Sequence, residues 1–388
     1  MSTKILHVLD GFSMGGAETW LLQCVKYLSL HPELNVKFDF LITGGDKKIF
    51  DDEITSLGSK IYYHKFSMGN FFNFSIECRR ILKLEDYYCI YDHGDFAAGW
   101  HFLAFLGRIP KVRITHLHNP WNFVDNYVIN NRRYCSYKIG RLLNFLLTSK
   151  ITGTSNSVMD EYGYDKWPYY YKRIQPIYCG FPVSIFSFHI DNRLKMRKSL
   201  NIDEDRKVCI FIGRIGVQFF DNARNQKNPE FAFQIANNLI ELDDNWIFLF
   251  VGFKGSYGEL LEKQVIECGK EDKIRFLGIR SDISALMSGS DVLLFPSLWE
   301  GLGMVTVEAQ ACNLPVIMSD CLPKESIVVP KLVRQLDLEL PACEWASNIR
   351  EFNRFSIDSD SIDVVKLVEN SPFSIRNSVS RIVTASLG

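Results

Sequence analysis

The sequence predicts an α/β protein of two doubly wound domains, and three observations carry that reading. Short buried-strand patterns alternate with helix-period segments from end to end, as parallel sheets covered by crossover helices require. A chain of 388 residues exceeds one core at a prior of about 150 residues per domain. A turn-rich stretch, Ile177-Tyr-Cys-Gly-Phe-Pro182, followed by the charged segment Asp191 to Arg206, separates two series of strands.

In the first series the strands are expected at about Lys4 to Leu9, Val36 to Ile42, Tyr87 to Tyr91, Lys111 to Leu117 and Ile151 to Thr154. The second series is expected at about Val208 to Ile212, Trp246 to Val251, Ile274 to Leu277, Val292 to Phe295 and Val316 to Met318. Domains over residues 1–185 and 186–371 follow, with a C-terminal helix over about 372–388 packing back on the first.

Composition narrows the class. Apolar residues make up 47% and charged residues 23%, ordinary globular usage with no low-complexity tract, so disorder and fibrous folds are excluded. Lys+Arg 44 against Asp+Glu 45 leaves a net charge of -1, which argues against a dedicated nucleic-acid binder. The N-terminus lacks the pattern of a secretory signal, and no apolar run approaches the roughly 18 residues of a spanning helix. A soluble, cytoplasmic protein is expected. The ten cysteines include no Cys-x-x-Cys pair or zinc spacing, and read as reduced thiols.

Several motifs sit where strands end. Gly11-Phe-Ser-Met-Gly15-Gly16-Ala17-Glu18 follows the first strand and opens a helix. Glycines there allow close backbone approach, and the free N–H groups of a helix start favour phosphate, although a plain strand-to-helix turn would also account for them. The dinucleotide pattern Gly-x-Gly-x-x-Gly is absent, which weakens a nicotinamide reading. His93-Gly94-Asp95 and His116-Leu117-His118-Asn119 end two further strands, at the edge where open parallel sheets bind ligands. His116 and His118, two apart, would point to the same side, positioned to orient an acceptor hydroxyl or bond a donor sugar.

In the second half, Gly213-Arg214 ends a strand and Lys227 precedes the helix Glu230 to Leu242. Paired cations suit a diphosphate, whose charge they balance as it leaves. The segment Phe295-Pro-Ser-Leu-Trp-Glu300-Gly301-Leu302-Gly303 then leads into a helix carrying Val305, Glu308, Ala309 and Cys312. Two carboxylates beside exposed N–H groups are suited to accept hydrogen bonds from sugar hydroxyls, while the helix N-terminus faces phosphate. Asp358-Ser-Asp360 imitates a metal-binding Asp-x-Asp, but follows no strand and is not read as one.

With these residues in place the chain resembles the retaining GT-B glycosyltransferases of family 4, in the branch that builds capsular and exopolysaccharides. The resemblance runs through Gly15-Gly16-Ala17-Glu18, His93-Gly94-Asp95, His116 to Asn119, Gly213-Arg214, Lys227-Asn228, Phe276 to Asp282, the Glu300/Glu308 segment, Ser319-Asp320 and Pro323-Lys324-Glu325. It implies two Rossmann-like domains facing each other across a cleft. It also implies that Arg214 and Lys227 hold the donor diphosphate, that Glu308 binds the ribose hydroxyls, and that Glu300, Gly301 and the backbone of Leu302 and Gly303 bind the transferred sugar. The loop from Gly278 to Arg280 would flank the base. Gly15 and Gly16 would approach the diphosphate, His118 or His116 would contact the reacting sugar, and His93, Asp95 and Asn119 would lie on the acceptor side. One departure is that thirteen positions separate Arg214 from Lys227 where the family has about five, so that Gly216 to Asn225 reads as an insertion.

The implied reaction moves a hexose or N-acetylhexosamine from a nucleotide diphosphate sugar, most commonly a UDP-sugar, to a saccharide acceptor, with no metal or other cofactor. The stretch from Arg108 to Lys150 holds eight basic residues against Asp125 alone, with aromatics interleaved, and suits either an anionic membrane surface and a polyprenyl-diphosphate-linked acceptor or an ordinary core-facing helix. A UDP-sugar epimerase of the same architecture and a non-catalytic nucleotide-sugar binder are the rival readings.

Overall fold

A computed structural model of the chain describes residues 2–13, 15–121, 131–166, 168, 170–216, 226–356 and 363–388. The chain separates into two compact units, residues 1–181 with 372–388, and residues 182–371. The first division falls after Phe181 instead of residue 185, because the short turn Val183–Phe186 packs against the helices Met304–Ala311 and Val364–Asn370 of the second unit.

The first unit holds a six-stranded sheet in the order β3-β2-β1-β4-β5-β6. Its strands are β1 Thr3–Leu9, β2 Val36–Ile42, β3 Ile61–Tyr63, β4 Tyr87–Asp92, β5 Val112–Leu117 and β6 Lys150–Gly153, all paired in parallel. The second sheet has the order β12-β11-β10-β7-β8-β9. It comprises β7 Lys207–Ile212, β8 Trp246–Val251, β9 Ile274–Gly278, β10 Val292–Phe295, β11 Val316–Ser319 and β12 Val333–Leu336, again parallel throughout. Strand order reverses between β1 and β4 in one sheet and between β7 and β10 in the other. Open α/β sheets bind ligands at such reversals, beyond the carboxyl ends of the strands.

Both faces of the second sheet are buried, which is why its strands read as unbroken apolar runs. Cys209, Phe211, Phe248 and Phe250 enter one core, and Val208, Ile210, Ile212, Ile247 and Leu249 enter the other. The edge strands β3 and β12 went unrecognised in sequence because they have only three and four residues, all half-buried. The helix Pro229–Leu242 starts with Pro at its first position, where the missing N–H costs nothing, after Asn228 in the left-handed region.

The C-terminal helix Ile375–Leu387 packs on the helix Gly16–Leu30. Trp20 Nε1 donates to Ser378 Oγ at 2.8 Å, and that hydroxyl donates to the Tyr178 carbonyl at 2.7 Å. Gly180 permits the approach, since a Cβ there would lie 2.4 Å from Ser378 Cβ. Among the described residues no helix is long and apolar enough to cross a membrane.

Candidate active site

In the second unit the site is assembled at the β7/β10 reversal. Gly213 follows β7, and the aliphatic stem of Lys227 lies across it, so that a Cβ at Gly213 would stand 2.9 Å from Lys227 Cγ. The long excursion between Arg214 and Lys227 therefore returns the lysine to the strand end. Residues 217–225 of the expected insertion lie outside the described residues. Lys227 Nζ sits 4.4 Å over the Phe295 ring and 2.7 Å from Glu300 Oε1. Gln226 Nε2 donates to Glu300 Oε2 and to the Trp299 carbonyl, both at 3.1 Å. Both carboxylate oxygens of Glu300 thus have donors, and its side chain is only 8% exposed.

The loop from Glu300 reaches the helix Met304–Ala311 through Gly303, whose φ of 86° favours glycine. Leu302 is buried and Gly301 half-buried. Glu308 lies on that helix, where burial pushes its carboxyl up to about 7 against the opposing pull of Lys227. Arg214 is exposed immediately after Gly213. Arg280 is committed to its own loop, holding both oxygens of Asp282 at 2.8 and 2.6 Å, whereas Gly278 has open space above its Cα.

In the first unit the ends of β1, β4 and β5 bring four histidines together. His7 Nδ1 lies 2.9 Å from His93 Nε2, and His93 Nδ1 lies 2.9 Å from His118 Nε2. His116 and His118 stack at 4.5 Å, as two same-side residues of one strand should. His116 is fully buried, bonded through Nδ1 to the Tyr91 hydroxyl at 2.8 Å and packed on Trp20. It offers no face to a substrate, and of the two expected sugar-contacting histidines only the half-buried His118 does. Desolvation brings His118 down to about 4 and His7 to about 3, and carries His93 and His116 well below the usual imidazole range.

Asp95 fixes the loop that carries His118. Its carboxylate accepts the His118 backbone N–H at 2.6 Å and Asn119 Nδ2 at 2.8 Å. Burial raises it to about 6, with those donors opposing the shift. Asp92 holds the preceding turn, accepting Gly94 N–H at 2.8 Å and contacting His101 Nδ1 at 2.9 Å. At the start of the helix Gly16–Leu30, the Glu18 carboxylate lies against Gly15, while Gly16 has no neighbour within 4 Å of a built Cβ.

Sequence reasoning missed His7, Tyr91, Asp92, His101 and Gln226. The first four sit in strand or helix patterns that read as core, and Gln226 read as loop. No local spacing marks them, because each partner comes from a different element. Among the described residues no three His, Cys, Asp or Glu side chains are gathered as metal ligands. Asp358 and Asp360 lie outside the described residues.

Known proteins resemble this chain in sequence and in fold. Residues 192–333 match the family model described as Glycosyl transferases group 1. The chain is 27% identical over 358 residues to a putative glycosyltransferase, EpsF, of Bacillus subtilis, covering 89% of this chain and 86% of that one. It is 25% identical to the capsular polysaccharide biosynthesis glycosyltransferase CapH of Staphylococcus aureus, over 90% of each. The solved structure of Anabaena Alr3699/HepE in complex with UDP and glucose superposes with a TM-score of 0.74 at 16% identity, covering 98% of both chains. Two Rossmann-like units with this strand order make the fold GT-B, and a glycosyl transferases group 1 domain over residues 192–333 makes the chain a glycosyltransferase.

Proposed function

We propose that the chain is a retaining, family 4 glycosyltransferase that moves a hexose or N-acetylhexosamine from a UDP-sugar to a saccharide acceptor in capsular or exopolysaccharide biosynthesis. The observation that carries this reading is the convergence of Lys227, Glu300 and Glu308 at the β7/β10 reversal. Lys227 and the exposed Arg214 balance the charge that develops on the leaving diphosphate, the task a divalent ion performs elsewhere, so no metal is needed. Glu308 accepts the ribose hydroxyls. Glu300, held in place by Gln226 and Lys227, accepts hydroxyls of the transferred sugar with the backbone of Gly301, Leu302 and Gly303.

The first unit supplies His118 to the reacting sugar, with Asp95 and Asn119 holding its loop. The acceptor attacks from the face that the diphosphate leaves, which retains the anomeric configuration and makes positioning the main catalytic contribution. CapH, by its name, belongs to capsular polysaccharide biosynthesis, and HepE holds UDP and glucose in its solved structure. Both support the reading.

A polyprenyl-diphosphate-linked acceptor at an anionic membrane suits the helix Asn131–Leu147. It exposes Ile139, Leu142 and Leu146 in a stripe beside Tyr134 and Lys138, with Arg133 exposed near its start. Trp121 and Tyr137, by contrast, pack into the core against Tyr162 and Phe96, so only part of the basic aromatic segment faces outward. The test of the function is a thermal-shift screen of nucleotide sugars, followed by incubation of the stabilising sugar without and then with acceptor. Acceptor-dependent release of UDP is expected. Epimer formation from donor alone would overturn the transferase reading.

A further inference from the structure

The three linked imidazoles do more than fill the strand ends. Among the described residues no charged group pairs with them: the rings touching them are Phe38, Phe40, Tyr91, Trp20 and His116, and both oxygens of Asp95 already accept hydrogen bonds. Desolvation therefore keeps all three neutral. A neutral imidazole has one N–H and one lone pair. His93 uses both nitrogens, so its two bonds must run in the same direction along the chain.

Only two arrangements satisfy this. In one, His7 Nδ1–H donates to His93 Nε2, His93 Nδ1–H donates to His118 Nε2, and His118 Nδ1 carries the remaining proton. In the other every bond reverses, His118 Nδ1 holds a lone pair, and the last N–H lands on His7 Nε2. That nitrogen is fully buried and has no hydrogen-bond partner among the described residues. The reversed arrangement would strand a donor in an aromatic pocket, and buried N–H groups without an acceptor are rarer in native proteins than under-satisfied acceptors.

We infer that the aromatic pocket closing over His7 Nε2, acting through His7 and His93, sets the tautomer of His118 so that its Nδ1 presents a proton, making His7 and His93 positioning residues for a hydrogen-bond donor. Among the described residues His118 Nδ1 makes no hydrogen bond, and the ring is half-buried at the end of β5. A preset donor there bonds an oxygen of the sugar without first having to exchange its proton. The inference rests on the reading that His118 contacts the reacting sugar, but the tautomer can be measured without turnover.

The test is long-range proton–nitrogen correlation on the full chain labelled with nitrogen-15 histidine, ligand-free at neutral pH. Nδ1–H tautomers at His7, His93 and His118 are expected. Nε2–H tautomers at His93 and His118, or averaged signals, would overturn the inference. His7→Phe leaves His93 Nε2 against aromatic rings, where the same rule keeps it unprotonated, so His118 should stay Nδ1–H. Phe38→Met sets an acceptor-only thioether beside His7 Nε2 and relieves the stranded donor, so His118 should shift toward Nε2–H and kcat fall about tenfold, with KM for donor unchanged. An Nε2–H tautomer at His118 in a folded His7→Phe protein refutes the relay, and a variant that fails to fold leaves the measurement on the parent decisive. The expected tautomers in a parent that transfers no sugar would sink the transferase reading and leave this inference standing.

Discussion

Glu308→Gln removes a carboxyl that folding holds protonated. In the folded chain burial raises it to about 7, against an ordinary glutamate value of 4.5. Below that unfolded value both states carry the proton and the group contributes no difference. Between the two values the unfolded chain releases the proton while the folded chain retains it, so stability falls as pH rises, and the whole loss is present above the folded value. At 1.36 kcal/mol per unit the loss would be about 3 kcal/mol, which the half-buried position of the side chain reduces to about 2 kcal/mol. Urea unfolding of parent and Glu308→Gln proteins at pH 4.5 and pH 8.5 measures it. The variant should gain about 2 kcal/mol on the parent at pH 8.5 and little at pH 4.5, in whichever transition reports the second unit. The same proton links to ligand binding, since hydroxyl donors favour the carboxylate. UDP should bind the parent with proton release near pH 6, seen by calorimetry in buffers of different ionisation enthalpy, and the variant without it. Parallel stability profiles for the two proteins would refute the protonated carboxyl.

Two further outcomes follow from the same geometry. Gly213→Ala places a Cβ 2.9 Å from Lys227 Cγ, near the root of the side chain, where rotation gives little relief. It should displace the ammonium from Glu300, weaken donor binding about tenfold by calorimetry and lower the melting temperature; unchanged affinity would remove Lys227 from the donor site. Vesicles rich in anionic lipid should float the parent at low salt and lose it at high salt, and Leu142→Ser with Leu146→Ser should weaken the association. Equal flotation with neutral vesicles would refute the charged, lipid-facing helix.

The local features of this protein were legible in its sequence for a physical reason. Strand and helix periodicity, Gly303 before the helix Met304–Ala311 and the pairing of Glu300 with Glu308 are all set by backbone preferences over a few residues. The short edge strands β3 and β12 escaped because three or four half-buried residues give no period to read. His116 read as equal to His118 because alternation assigns a side of the strand and says nothing of how far toward its open end a ring sits.

Tertiary structure decided the rest. His7, His93 and His118 meet because β1, β4 and β5 are neighbours in the sheet, an order no segment encodes by itself. Lys227 returns to Gly213 across an excursion whose length does not say where it ends. Chain separation sets no distance between residues on different strands. Packing does, and with it which imidazole is sealed in the core and which faces outward.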